Sequence, residues 1–190
     1  MIKFFTAFLF LFVLTINSRA DNSSFTLSAE VTRSSNVNLE TDFIAKYIKN
    51  LDIYPKFFPN ITSVVKLSDS TSEWTYKVVA PLATPYDVKF VLVDKSPSLD
   101  TLLFESIVKI PDYLYCNAVL TKISDTKTNV NFLFKISMTR EKASDIHFLA
   151  GILGEKFLSE KMKERLESDL EDFISSAVKD MYLTSRLYER

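Results

Sequence analysis

The segment Tyr54–Ile61 separates two kinds of hydrophobic pattern in this chain. It contains two prolines, Pro55 and Pro59, with aromatic residues beside them. Because proline interrupts a continuing helix, the segment predicts a turn that places aromatic rings under a sheet. A short amphipathic helix is expected before it, and strand-like runs followed by one long helix are expected after it.

Alternation of apolar and polar residues predicts seven strands. The first is Phe25 to Arg33, and the other six lie between Ile61 and Thr139 with mostly short loops between them. This succession favours an antiparallel meander, which commonly forms one wide, curved sheet. One face should be solvated and the other apolar. Residues predicted on the apolar face include Trp74, Tyr76, Tyr86, Phe90, Phe104, Ser106, Val108, Ile110, Val130, Phe132 and Phe134.

The C-terminal part of the chain predicts a long amphipathic helix. From Gly154 onward, apolar residues recur every three or four positions, with charged residues between them. This spacing is typical of a helix of about seven turns with one apolar side, which can pack on the apolar face of the sheet. The apolar stripe consists of Leu158, Met162, Leu166, Leu170, Phe173, Ile174, Ala177 and Met181.

Residues 1–20 have the pattern of a secretory signal. Lys3 provides a positive charge, Phe4 to Ile16 is apolar, and small residues flank Arg19. A membrane anchor is the alternative, but the apolar run is shorter than the roughly 20 residues that span a bilayer. We therefore expect cleavage, a secreted or periplasmic location without stable membrane insertion, and a single domain over residues 21–190.

Composition limits the chemistry that the chain can perform. His147 and Cys116 are its only histidine and cysteine, which excludes a His/Cys metal cluster and an internal disulfide. Cys116 is expected to be a small buried side chain. The formal net charge is −1, and it becomes −3 without the two basic residues of the signal, which indicates no nucleic-acid partner. No cofactor is expected. Asn60-Ile61-Thr62 matches a glycosylation sequon, with chance occurrence as the alternative.

Several segments resemble the START-like (SRPBCC) superfamily, which includes polyketide cyclases, ubiquinone-binding proteins and lipid-transfer proteins. Ile48 to Pro59 resembles the passage from helix to strand in its ubiquinone-binding and cyclase-like members. Trp74 to Pro81, followed by Tyr86 to Val88, is similar to the family hairpin, and the helix from Gly154 through Phe173 resembles the closing helix.

The resemblance implies an α+β helix-grip fold. In this fold a seven-stranded curved antiparallel sheet wraps around a long C-terminal helix, with two short helices between strands 1 and 2 and an apolar cavity between sheet and helix. The implied function is binding or transport of an apolar small molecule such as a lipid or quinone. A polyketide cyclase/aromatase-like enzyme that uses the same cavity is the alternative.

The resemblance supplies no catalytic residue, and the sequence does not indicate a protein partner. The segment after the last strand contains Arg140 and His147. It has two interpretations: His147 is a surface or satisfied interfacial histidine, or the segment forms a lip of the cavity where Arg140 or His147 meets a polar head group. The other predicted contacts are apolar or aromatic, and the alternative is that the same side chains simply fill the core. The predicted ligand-binding residues are Trp74, Tyr76, Phe90, Phe104, Tyr115, Phe132, Phe134, Arg140, Leu158, Met162 and Leu166.

Overall fold

The computed structural model describes residues 24–79, 85–146 and 149–188. These residues form one seven-stranded antiparallel sheet in the order β1-β7-β6-β5-β4-β3-β2, which confirms the predicted meander. The predicted signal segment and His147 lie outside the described residues. The strands are β1 Phe25–Val37, β2 Ile61–Lys66, β3 Thr71–Val78, β4 Tyr86–Asp94, β5 Thr101–Ser106, β6 Asp112–Ser124 and β7 Lys127–Arg140.

Two short helices connect β1 to β2, as predicted. They are α1, Thr41–Lys49, and α2, Ile53–Phe57. The predicted turn at Pro55 is therefore wrong in detail, because Pro55 lies within α2. A proline in the first turn of a helix is tolerated, since its missing N–H would have no helical partner there.

The last part of the described chain is helical. A 3-10 turn, Ala143–Asp145, precedes α3, Ala150–Leu153, and α4, Glu155–Tyr188. Gly154 separates α3 from α4 with a φ of 80°, a conformation that side chains other than glycine rarely adopt. With 34 residues, or about nine turns, α4 is longer than predicted. Beyond the predicted stripe, the Tyr182 hydroxyl accepts a hydrogen bond from the Asn38 N–H at 2.9 Å, which ties the last turns to the end of β1.

The interior between the sheet and α4 is filled by aromatic rings. Phe173 of α4 lies among them, 5.4 Å from the Tyr54 ring and 5.6 Å from the Phe132 ring, centroid to centroid. The Phe58 and Phe134 rings stack at 5.0 Å. Burial of the Tyr54 and Phe58 rings confirms that this segment places aromatic side chains under the sheet.

One strand ends earlier than predicted. Val108 and Ile110 were expected on the apolar face, but their exposed fractions are 58% and 73% because β5 ends at Ser106. The Ser106 hydroxyl accepts a hydrogen bond from the Leu114 N–H at 2.8 Å, so a side-chain hydrogen bond takes the place of the next backbone hydrogen bond between β5 and β6. The residues that follow form a loop, which leaves both apolar side chains in solvent.

Candidate functional site

A cavity of about 290 Å³ opens between the first half of α4, β1 and β3. Leu158, Met162 and Arg165 line it from one side of α4, because residues three and four positions apart share a helix face. Tyr76 and Val78 line it from β3, where alternate residues share a face of the sheet. The remaining lining residues are Leu27, Asn60, Val79, Ile146 and Lys161.

A buried polar cluster lies beside the cavity. The Asp169 carboxylate is 1% exposed, and its Oδ1 lies 3.0 Å from the Arg165 Nε. The Asn60 Nδ2 donates a hydrogen bond to the Asp169 Oδ2. Asn60 is itself 3% exposed, so a glycan on this nitrogen would disrupt the contact. Chance occurrence of the sequon therefore agrees better with the fold than glycosylation does.

Burial controls the ionisation of this cluster. It raises the pKa of the Asp169 carboxyl to about 6, although Arg165 and the Asn60 hydrogen bond act in the opposite direction. Burial, together with the nearby Asp169, also raises the pKa of the Tyr76 hydroxyl. A carboxyl group that titrates close to neutral pH thus lies next to the wall of an apolar cavity.

Asp169 and Asn60 were not among the site residues predicted from the sequence. Asp169 was included among the charged residues expected to face solvent. Its position gives a usable signal, however, since it follows the buried Leu166 by three residues and precedes the buried Phe173 by four. That spacing places Asp169 on the same side of α4 as the apolar stripe.

The structure divides the predicted ligand-binding residues into groups. Tyr76, Leu158 and Met162 line the cavity. Six other predicted residues on the inner face of the sheet or on α4 are buried in the core and do not line this cavity. Most of the predicted rings therefore pack on protein side chains. This core group comprises Trp74, Phe90, Phe104, Phe132, Phe134 and Leu166.

Tyr115 lies on the opposite face of the sheet from the cavity, and its predicted position was wrong. Leu114 and Cys116 are buried on either side of it in β6, so the alternation directs Tyr115 outward. There the Lys135 Nζ lies 5.8 Å from the centre of its ring. The error arose because β6 carries apolar or aromatic side chains on both faces, which obscures the period-two pattern.

Arg140 is not one of the cavity-lining residues. It ends β7, where its Nη1 donates to the Asp112 Oδ1 at 2.6 Å and to the Thr139 carbonyl at 2.9 Å. Its contact with a ligand head group stays a prediction.

Other groups on the described residues offer less to a ligand. A cleft of about 860 Å³ beside α1 has several charged lining side chains, among them Glu40, Asp42, Lys46, Lys56 and Asp180, which suits an apolar molecule poorly.

Cys116 is buried as predicted, and burial raises the pKa of its thiol to about 12. Among the described residues, no group of three or more histidine, cysteine, aspartate or glutamate side chains could hold a metal ion. No helix in this part of the chain is both long and apolar enough to cross a membrane.

Comparison with known proteins identifies similar folds but no similar sequences. No protein-family model and no curated protein matches the chain. The di-domain ARO/CYC StfQ from the steffimycin biosynthetic pathway has a TM-score of 0.58 at 12% identity, covering 84% of this chain and 52% of that one. The Zhui aromatase/cyclase from a Streptomyces species has a TM-score of 0.54 at 12% identity, covering 86% and 96%.

A protein from Thermus thermophilus also has a TM-score of 0.54, at 15% identity, covering 82% of this chain and 98% of that one. At these identities the likeness concerns the fold alone. The strand order, the two helices between β1 and β2, and the long last helix are those expected of a helix-grip fold. The chain has the helix-grip fold, which it shares with these aromatase/cyclase structures.

Proposed function

We propose that this protein binds and carries an apolar small molecule in the cavity between α4, β1 and β3. The observation that carries the proposal is the apolar wall formed by Leu27, Val78, Ile146, Leu158 and Met162. Ligand sites are typically concave and mostly apolar, with few polar groups that orient the ligand. Here Asn60 and Tyr76 are such groups.

The size of the cavity favours a slender ligand. Ligand pockets commonly measure roughly 300–1,000 Å³. The cavity, at about 290 Å³, lies just below this range because aromatic side chains occupy much of the interior. A single alkyl chain or a small ring compound suits this volume better than a large multi-ring molecule.

We also propose that the protein works outside the cytoplasm, as a secreted or periplasmic carrier. The support is the charge and apolar pattern of residues 1–20. Sequencing the N-terminus of the protein recovered from its own compartment tests this, and Asp21 is the expected first residue. An N-terminus that retains residues 1–20 would contradict the proposal.

Native mass spectrometry of the purified protein, followed by organic extraction, is the direct test of ligand binding. We expect a stoichiometric apolar adduct. Replacing Met162 with tryptophan should reduce affinity about tenfold or more, because the larger side chain occupies space that the ligand needs and a loss of about 1.4 kcal/mol of binding free energy is tenfold in affinity. Leu183→Trp is the matched control, since Leu183 is 58% exposed on the same helix.

Two outcomes would contradict the proposal of a carrier that uses this cavity. One is a bare protein mass together with no binding of added alkyl compounds. The other is an adduct that Met162→Trp leaves at the wild-type level, which would place the ligand elsewhere.

An enzyme of the cyclase type is the second candidate, and one observation favours it. Asp169 lies behind the cavity wall with a pKa of about 6, close to the value that suits a general acid or base at neutral pH. To exchange a proton with a bound molecule, its carboxyl group would first have to release Asn60 or Arg165. If the protein is an enzyme, Asp169→Asn should abolish turnover while uptake persists. If it is a carrier, the same variant should retain uptake, and neither variant nor wild type should form product. Parallel measurements of binding and product formation distinguish the two.

A further inference from the structure

We propose that the ligand of this cavity is an anionic amphiphile, a single alkyl chain that ends in an acidic head group held by Lys161 and Arg165. The inference rests on the proposed function, because it names the chemical class of molecule that the same cavity would bind.

The two cations lie at the rim of the cavity. Lys161 and Arg165 are four residues apart on α4, so they occupy successive turns of one helix face. Leu158 and Met162 line the cavity from the same part of α4. The side chains of Lys161 and Arg165 are 43% and 51% exposed, which places them between the apolar interior and solvent. An amphiphile needs this arrangement, with its chain inside and its head group at the boundary.

The charges on the lining residues favour an anion. Of the described residues that line the cavity, Lys161 and Arg165 carry positive charge and none carries negative charge. Asp169 lies behind the wall, and its two oxygens already accept from Arg165 and Asn60. A cationic head group could reach this carboxylate only by displacing one of those partners.

Both cations can also form further bonds. Arg165 meets Asp169 through its Nε, and a guanidinium carries additional N–H donors on its terminal nitrogens. Lys161 lies 2.6 Å from Glu164, but both side chains are exposed, and such surface pairs are weak enough to exchange for another anion. Arginine and lysine together can therefore bind a carboxylate or phosphate with charge-assisted hydrogen bonds.

Isothermal titration calorimetry with four ligands of equal chain length tests the inference. These are decanoate, decyl phosphate, decan-1-ol and decyltrimethylammonium, each below its micelle-forming concentration, at about pH 8 so that the carboxylates are ionised. We expect the preferred anion to bind about tenfold or more tightly than the alcohol, and the cation to bind most weakly. Preference between the first two ligands shows whether a carboxylate or a phosphate head group is favoured.

Variants connect the preference to the two cations. Lys161→Gln should reduce the preference for the anion over the alcohol by about two- to fivefold. A triple variant that also carries Arg165→Gln and Asp169→Asn should show no preference for the anion. Asp169→Asn is included because the buried Asp169 carboxylate would otherwise lose its charged partner. Lys163→Gln is the matched control, because Lys163 is exposed on the same helix outside the cavity. Raising the salt from about 0.05 to about 0.5 M should weaken binding of the anion but not of the alcohol.

Each outcome bears on a different part of the proposal. Equal affinity of wild-type protein for decan-1-ol and both anions would overturn the anionic head group while leaving the apolar carrier intact. An anion preference that survives in the triple variant would overturn the assignment to Lys161 and Arg165. Absence of binding by all four ligands would overturn the carrier function and the inference with it.

Discussion

Replacing Phe173 with alanine is expected to lower the free energy of unfolding by about 4 kcal/mol. Phe173 is 1% exposed and connects α4 to both sides of the core through the rings of Tyr54, Phe58 and Phe132. Its removal takes away apolar burial and several ring contacts, and the surrounding side chains come from separate elements that can close the space only in part. Urea denaturation followed by circular dichroism measures the change.

Phe157→Ala is the matched control for this variant. Phe157 lies on the same helix but is 40% exposed, so its truncation should cost less than about 1 kcal/mol. A loss at Phe173 no larger than the loss at Phe157 would show that the ring cluster does not hold α4 on the sheet.

Asp169 is expected to make the protein less stable as the pH rises from about 4 to about 6. Its carboxyl pKa is 3.8 as an ordinary value and about 6 in the folded state, so the folded protein binds more protons than the unfolded chain within this window. The contribution is fully present below the unfolded pKa and is lost as the pH passes the folded pKa. This shift of about two pKa units corresponds to about 3 kcal/mol in the free energy of unfolding.

The difference between wild type and Asp169→Asn isolates this contribution. Asparagine can still accept from Asn60 but does not ionise, so the variant should lack this part of the pH dependence. Other carboxyl groups act in the opposite sense, since lysine and tyrosine partners hold the pKa values of Glu105 and Asp180 below their ordinary range. Glu160→Gln, at an exposed position of α4, controls for loss of a surface carboxylate. Parallel pH profiles for wild type and Asp169→Asn would contradict the burial effect.

Much of the fold could be predicted because its signals are local and periodic. Alternation from Phe25 to Thr139 predicted the seven strands, and the spacing from Leu158 to Met181 predicted the buried side of α4. Both periods follow from backbone geometry, so they can be recognised without knowledge of the partner element. Where the periodicity was ambiguous, as at Tyr115 with apolar neighbours on both faces, the predicted face was wrong.

The cavity could be predicted only in part. Tyr76, Leu158 and Met162 were among the expected lining residues, and the structure places all three around one space. Whether an inward ring lines a cavity or fills the core depends on the volumes of all its neighbours, which are brought together from distant parts of the chain.

The antiparallel meander and the long amphipathic helix follow from the order of residues, and the exclusion of a His/Cys metal cluster and an internal disulfide follows from composition. The packing of most inward rings on one another, and the small cavity that remains beside α4, depend on the three-dimensional arrangement. So does the contact behind the cavity wall between Asn60 and Asp169, which are separated by 109 positions. Periodicity indicates which face of an element a side chain lies on, but long-range packing determines where a cavity remains and which residue pairs with a buried charge.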